Sequence, residues 1–385
     1  MSETDVMNAG PGASRRSPNP WLAKEKDELI VLLSLPGMTG QRLRELMTLF
    51  GSPGGALEAI RAGAADGTDT VASEWRDASL RPGAGEMAGR LLSEGISVAV
   101  EGEQSYPALL AQTHDPPVAL FCKGEPPGER KCVAIVGSRK ATPYGLEAAR
   151  WFAEGLAREG ICVVSGAAYG IDSAAHGGAF EAGGKTCGVL GCGVDVVYPR
   201  ANAGLFRRIE ESGCLVSEYP SGTQPRPHFF PARNRIISGI SLGVIVVEAS
   251  ERSGALITAD FALAENREVF AVPGQVFSAN SAGTHALVRS GAALVTGPGE
   301  VLEELGLAAR PATVTPALLE IPVGVTGDGK ALLEALEGGP CDMESLSRKT
   351  GLPACRAMAA LSSLEVRGLV ARAAGGFYQK CRPRL

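Results

Sequence analysis

What this sequence lacks removes several kinds of protein before any motif is read. No apolar run approaches the ~18 residues that a membrane-spanning helix needs. The opening MSETDVMNAGPGASRRSPNP has no apolar core of a signal peptide and reads as a disordered tail over 1–20, with Trp21 as the first anchor. Histidines are few, four in 385 residues, and His114, His176, His228 and His285 are too scattered to form a zinc-ligand cluster. The nine cysteines are odd in number and include no CxxC pair. Cys132, Cys162, Cys187 and Cys214 fall at or near predicted strands, so buried, reduced thiols in a cytoplasmic protein are expected, and no metal. An excess of positive charge is missing too, at a net −5. A nucleic-acid partner therefore has to be argued from a local basic stripe.

What is present is the composition of a soluble globular chain, 45% hydrophobic and 21% charged, long enough for two or three domains. Residues 21–92 read as a small helical domain. LIVLLSL is followed by the turn Pro36-Gly37-Met38-Thr39-Gly40 and by QRLRELMTLF, where Leu43, Leu46, Met47 and Phe50 share one apolar face. Two helices joined by such a turn resemble a helix-hairpin-helix or SAM-like unit, which can offer amides to a phosphate. A packed helical pair is the preferred reading.

Residues 93–306 open with ISVAVEGEQSYPALLAQTHDPPVALFCKG, read as short strands around a helical turn, and after Glu125 alternate between short apolar strands and amphipathic helices. Strands are predicted at Cys132–Val136, Ile161–Ser165, Thr186–Leu190, Leu215–Ser217, Gly243–Glu248, Glu268–Val272 and Leu294–Thr296. The fold class expected is α/β, a Rossmann-like parallel sheet domain flanked by the N-terminal helical domain and a C-terminal winged-helix domain. Right-handed crossovers then bring the loops after the strands to one edge, where ligands bind. Residues 307–326 read as a linker, and 327–385 as three helices and a hairpin turning at Gly375-Gly376.

The first of those loops is Gly137-Ser138-Arg139, ahead of a helix opened by Thr142-Pro143. A tight turn feeding a helix N-terminus offers free N–H groups to an anion, and Arg139 adds a charge-assisted contact. The glycines do not form GxGxxG after the first strand, and no acid is placed to hold a ribose, which disfavours a dinucleotide. GAFEAGGKT (178–186) is one residue too long for a phosphate-binding P-loop and precedes a strand. No cofactor is expected.

The second strand ends at Gly166 and Gly170, which let backbone approach a ligand closely. Asp172 is expected to cap the next helix with His176 on the same face. That pair has the composition of a general base, but no Ser, Cys or metal motif accompanies it, so capping is preferred. Arg200 follows the third strand on the same edge.

The next loop, PSGTQPRPHFFPARNRIISG, is the most informative. Between Glu218 and Glu248 there is no acidic residue, while Arg226, Arg233, Arg235 and His228 interleave with Tyr219, Phe229 and Phe230. Prolines 220, 225, 227 and 231 are read as keeping it extended. Single-stranded nucleic acid is held this way, by cations along its backbone and rings on its bases. One phenylalanine is expected inward and one available. Ser253-Gly254 opens another helix on the same edge.

VGSR, SGAAYGIDSAAH, GCGVDVVYP, SEYPSGTQPRPHFFPARNRIISGIS, VVEA, SGALITA and FAVPG, in this order, resemble the DNA-processing protein A family (DprA, also called Smf). The resemblance covers about Ser105 to Leu305, with one departure, His285 in GTHALVRSGA, where the family usually has asparagine. It implies binding of single-stranded DNA during natural transformation, loading of the RecA recombinase, a homodimer and no catalysis. It maps DNA contact onto Ser138, Arg139, Arg200, Arg233 and Arg235. The full DNA-binding set expected is Gly137, Ser138, Arg139, Gly166, Gly170, Arg200, Phe230, Arg233, Asn234, Arg235, Ser253 and Gly254. The alternative is a phosphoribohydrolase-like enzyme on nucleotides, for which SGALITAD lacks the PGGxGT motif and Asp260 is the only nearby carboxylate. A third reading gives the winged helix the function. Its recognition helix carries Arg356 and Arg367 among alanines and leucines, poor equipment for reading base edges.

Overall fold

The computed structural model describes residues 25–66, 71–307, 327–337, 339–367, 369–372 and 376–380. The expected tail, and all of the expected linker except Leu307, lie outside them. The chain forms two compact units, 1–308 and 309–385.

The first unit opens with α1 (Lys26–Leu33), α2 (Gly40–Phe50), α3 (Pro53–Arg61), α4 (Ala72–Ser79) and α5 (Met87–Ser93). Then come β1 (Ile96–Val100), β2 (Ala119–Gly124), β3 (Cys132–Val136), α6 (Pro143–Arg158), β4 (Cys162–Ser165), α7 (Ile171–Glu181) and β5 (Thr186–Val189). The unit is completed by α8 (Ala203–Ser212), β6 (Cys214–Ser217), α9 (Phe229–Ile240), β7 (Gly243–Val246), α10 (Gly254–Ala264), β8 (Glu268–Ala271), α11 (Ala282–Arg289), β9 (Ala293–Leu294) and α12 (Pro298–Glu304).

Among the described residues nine strands form one sheet, in the order β1-β2-β6-β5-β4-β3-β7-β8-β9. The seven strands expected after Glu125 are β3 to β9, and all pairings among these seven are parallel. β2 and β1 extend the sheet in antiparallel fashion beyond β6. Side chains alternate along each strand. Val133 and Ile135 of β3 meet Phe152 and Leu156 of α6 and Ile171 of α7 on one face. Cys132, Ala134 and Val136 meet Ile236, Ile237 and Ile240 of α9 and Ala259 of α10 on the other. Strands buried on both faces must be apolar throughout, which is why they read as unbroken runs.

The topology places the site. From β3 the chain moves outward through β4 and β5 to β6, then returns to lay β7 against the other side of β3. The loops after β3 and β7 lead to helices on opposite faces, and the crevice between them is where α/β sheets bind ligands.

The N-terminal helices do not stand apart. Leu29, Leu43 and Trp75 share one core with Ile96, Val98 and Val100 of β1 and Phe121 of β2, so packing runs across the boundary expected near residue 92. At the turn over 36–40, Trp75 Nε1 donates to the Pro36 carbonyl (2.8 Å) and Arg42 to that of Gly37 (2.6 Å).

The second unit consists of α13 (Asp328–Ala335), α14 (Met343–Thr350), α15 (Ala354–Val366) and the antiparallel pair β10 (Val370–Arg372) and β11 (Tyr378–Lys380). Leu332, Leu346, Leu361, Leu364 and Tyr378 form its core. Asp342 caps α14 by accepting from Ser345 N–H (2.7 Å), and Gly351 ends it in the left-handed conformation. Of the expected hairpin turn, Gly376 is described and Gly375 lies outside the described residues.

Candidate nucleic-acid interface

A cavity of about 740 Å³ opens at the switch point between β3 and β7. Gly137, Ser138, Arg139 and Lys140 form one wall, Phe230, Arg233, Asn234 and Ile237 of α9 another, and Ser253 and Gly254 at the start of α10 a third. Eight of the twelve expected contact residues therefore converge: Gly137, Ser138, Arg139, Phe230, Arg233, Asn234, Ser253 and Gly254. Arg139 and Lys140 are exposed, and among the described residues neither makes an ion pair. The guanidinium of Arg139 lies 5.5 Å from the centre of the Phe230 ring.

The wall after β3 is held differently from the expectation. Glu248, buried at the end of β7, accepts from Thr142 N–H (2.9 Å) and from the Thr142 hydroxyl (2.5 Å). Its backbone carbonyl accepts from Ser138 N–H at 2.8 Å. An internal carboxylate thus takes the place expected for an external anion at the start of α6. Cationic side chains, rather than that helix terminus, are left to meet a phosphate here.

α9 corrects the expectation of an extended loop. The chain becomes helical at Phe229, and Pro231 sits in the first turn, where a missing N–H removes no helical hydrogen bond. Phe230, Arg233, Asn234 and Ile237 are spaced i, i+3, i+4 and i+7, one helical stripe, and that stripe faces the cavity. Phe229 stacks on Tyr219 (centroids 4.1 Å apart), while Phe230 lines the cavity beside Tyr198 at 5.5 Å. One ring is spent on internal packing and the other lines the cavity.

Arg235 is two residues from Arg233, about 200° round a helix. It points away from the cavity and binds both oxygens of Glu218 at 2.6 Å and the Asp115 carbonyl at 2.7 Å. Arg235→Ala is accordingly expected to cost about 1–2 kcal/mol of stability. The salt dependence of DNA affinity should stay unchanged, and urea unfolding beside a salt titration checks both. Arg200 is exposed in the turn after β5 and does not line the cavity.

Gly166 and Gly170 also stand behind the wall. A β-carbon on Gly166 would lie 2.6 Å from Arg233 Nη1 and 2.7 Å from Asp172 Oδ2, so only glycine fits between these charges. Gly170 has φ +76° and touches the Ser138–Arg139 backbone, which lets the loops after β3 and β4 meet.

Arg233 is buried, and donates to the carbonyls of Gly166 (2.9 Å) and Val189. Burial pushes its pKa down to about 10, still charged at neutral pH. Burial also raises Asp172, against the pull of Arg233. Asp172 does not occupy the cap position of α7, which is Gly170. It sits in the first turn and accepts from Ala168 N–H at 3.4 Å.

His176 bonds Thr186 and not Asp172. Its Nδ1 is 2.6 Å from Thr186 Oγ1, and that hydroxyl donates to the Val163 carbonyl, so the imidazole carries its proton on Nδ1. Nε2 is buried without a partner among the described residues. Burial, aided by the charge of Arg233, lowers its pKa from 6.5 to about 3. The folded state favours the neutral ring, so the associated stability is full above pH ~6.5 and is lost as pH falls toward 3. His176→Gln should flatten the decline of Tm across that window; an unchanged slope would exclude His176 as its source.

Against known families, the model for DNA recombination-mediator protein A matches residues 97–306, and that for the DprA winged helix domain matches 308–376. The chain belongs to the DNA recombination-mediator protein A family. It is 39% identical over 281 residues to Protein Smf of Escherichia coli, covering 71% of this chain and 74% of that protein. The X-ray structure of DprA from Streptococcus pneumoniae is similar with a TM-score of 0.62 and 35% identity, over 72% of this chain and 97% of that one. A structure of Helicobacter pylori DNA processing protein A, solved for its single-stranded DNA binding mode, has a TM-score of 0.50 and 29% identity, over 55% and 95%. The Rossmann-like sheet and the winged helix are thus those of the DprA family.

The cavity of this DprA-family chain also includes residues not expected from the sequence: Lys140, Tyr198, Pro227 and Asn280. Lys140 had a signal, directly following Arg139 in the first loop. Asn280 had none, since it arrives from the loop after β8 and donates to the Lys140 carbonyl at 3.0 Å. His285, the departure from the DprA pattern, places Nε2 3.2 Å from the Gly274 carbonyl at the root of that loop.

Proposed function

We propose that the switch-point cavity holds the backbone of single-stranded DNA. In this reading the protein is a non-catalytic recombination mediator that protects incoming DNA and loads RecA onto it during natural transformation. The observation that carries the reading is a cavity with two exposed cations that make no ion pair among the described residues, Arg139 and Lys140, the first of them beside the ring of Phe230. Cations serve a strand's phosphates and a ring serves any base, which suits binding without sequence preference. Membership in the DprA family supports it, as does the DNA-binding relative. Action as a homodimer in the cytoplasm belongs to the same proposal; among the described residues no helix is long and apolar enough to cross a membrane.

The nucleotide-hydrolase alternative needs a carboxylate at the reacting bond. Asp260 is exposed and outside the cavity lining; Asp172 does line the cavity, but it is buried, accepts from Ala168 N–H and lies in the field of Arg233. In the second unit, Arg356 is bound in bidentate fashion to Asp328 (2.7 and 2.8 Å), which leaves the recognition helix poorly equipped for base readout.

The test is affinity for single- and double-stranded oligonucleotides over a salt series, followed by RecA filament assembly on the bound strand. Tighter binding of single strands with a steep salt dependence is expected, as is faster assembly. Equal affinity for both forms, or release of free base from nucleoside monophosphates, defeats the proposal.

A further inference from the structure

Phe277 is 99% exposed and its neighbour Val276 77%, at the tip of the loop between β8 and α11. A phenylalanine so placed contributes nothing to the core, yet its loop is firmly fastened at both ends. Tyr144 Oη donates to the Pro273 carbonyl (2.7 Å), and His285 lies against that of Gly274. At the other end Ala249 N–H donates to the Asn280 carbonyl (2.7 Å), and the Asn280 amide donates to Lys140. Ser278 N–H closes the tip onto Gln275 at 3.0 Å.

Asn280 and Lys140 both line the cavity. Phe277 is three residues from Asn280, so their Cα atoms are within about 11 Å. A solvent-facing ring on this fastened loop therefore stands within a nucleotide or two of the cavity, on the side where Asn280 meets Lys140.

We propose that Phe277 is a second stacking platform, for a base of the same strand as it leaves the cavity on the Lys140 side. The inference rests on the cavity being a single-stranded DNA site. A protein occupant is disfavoured by size, because two side chains are far short of the roughly 1,200 Å² that stable interfaces bury.

The experiment uses the full chain. Phe277→Ala should bind an oligo(dT) of about 20 nucleotides roughly 5- to 100-fold more weakly than the natural protein. The slope against salt should not change, since no phosphate contact is lost. A di- or trinucleotide that fills only the cavity should bind both proteins equally. Phe277→Trp should restore affinity and lose indole fluorescence on binding. Because the side chain is exposed, neither change threatens folding, which a thermal melt verifies.

If Phe277→Ala binds like the natural protein while Arg139→Ala is weakened, the platform is wrong and the cavity reading stands. If Arg139→Ala and Lys140→Ala also bind normally, the cavity reading itself fails. Loss of self-association in Phe277→Ala with intact DNA affinity assigns the ring to a protein contact and overturns the proposal.

Discussion

Arg233→Met is expected to lower the unfolding free energy by about 3–5 kcal/mol, measured by urea unfolding. The substitution keeps the apolar stem and removes the guanidinium that serves the Gly166 and Val189 carbonyls. It also takes from Asp172, likewise buried, the stronger of its two neighbouring cations and leaves only Arg139. Each buried polar group stripped of its partner costs about 1–3 kcal/mol, and stranded charges cost most. Against a typical 5–15 kcal/mol of total stability, the loss is severe. Lysine restores charge but not the planar fork, so Arg233→Lys should recover only part. A change under about 1 kcal/mol for the methionine variant would show that Arg233 is replaceable in the wall. Loss of DNA binding by Arg233→Ala alone therefore does not demonstrate contact, since the wall itself is disturbed.

Arg139→Ala is the cleaner probe of contact, and the larger effect on binding is expected there. The side chain is exposed, so its loss leaves the fold intact. Single-stranded DNA affinity should fall roughly 10- to 100-fold, the scale of one charge-assisted contact. The slope of log affinity against log salt should shrink by about 0.7 for each phosphate contact removed. Lys140→Ala should subtract a similar slope, and the double variant about twice as much. Arg139→Lys should keep the slope but not all the affinity, because an ammonium cannot lie flat along the Phe230 ring. Unaltered slopes in both single variants would remove these residues from the interface.

The parallel strands and the edge where ligands gather were legible from β3 onward. Apolar runs between amphipathic helices admit few other arrangements, and the crossover rule orients them. Arg139, Phe230 and Ser253 were legible for the same reason, each lying in a loop or at a helix start on that edge. Arg235 was not. In an extended segment residues two apart face the same side, and the four prolines favoured that reading. Pro231 falls instead where a helix tolerates it, and the 100° turn per residue sends Arg233 into the cavity and Arg235 to Glu218. Glu248 was likewise read as the last residue of an apolar strand, since nothing local shows that it reaches across to Thr142.

Local pattern by itself determined the strands from β3 onward, their parallel sense, most of the helices and the acid-free basic stretch, because alternation and helical period are written in adjacent residues. Tertiary structure alone decided which cations are free. Whether an arginine meets solvent or a carboxylate depends on partners up to 120 residues away, as with Arg235 and Asp115. Charge pairing is settled by distance in space, and distance in space is what a linear pattern does not carry.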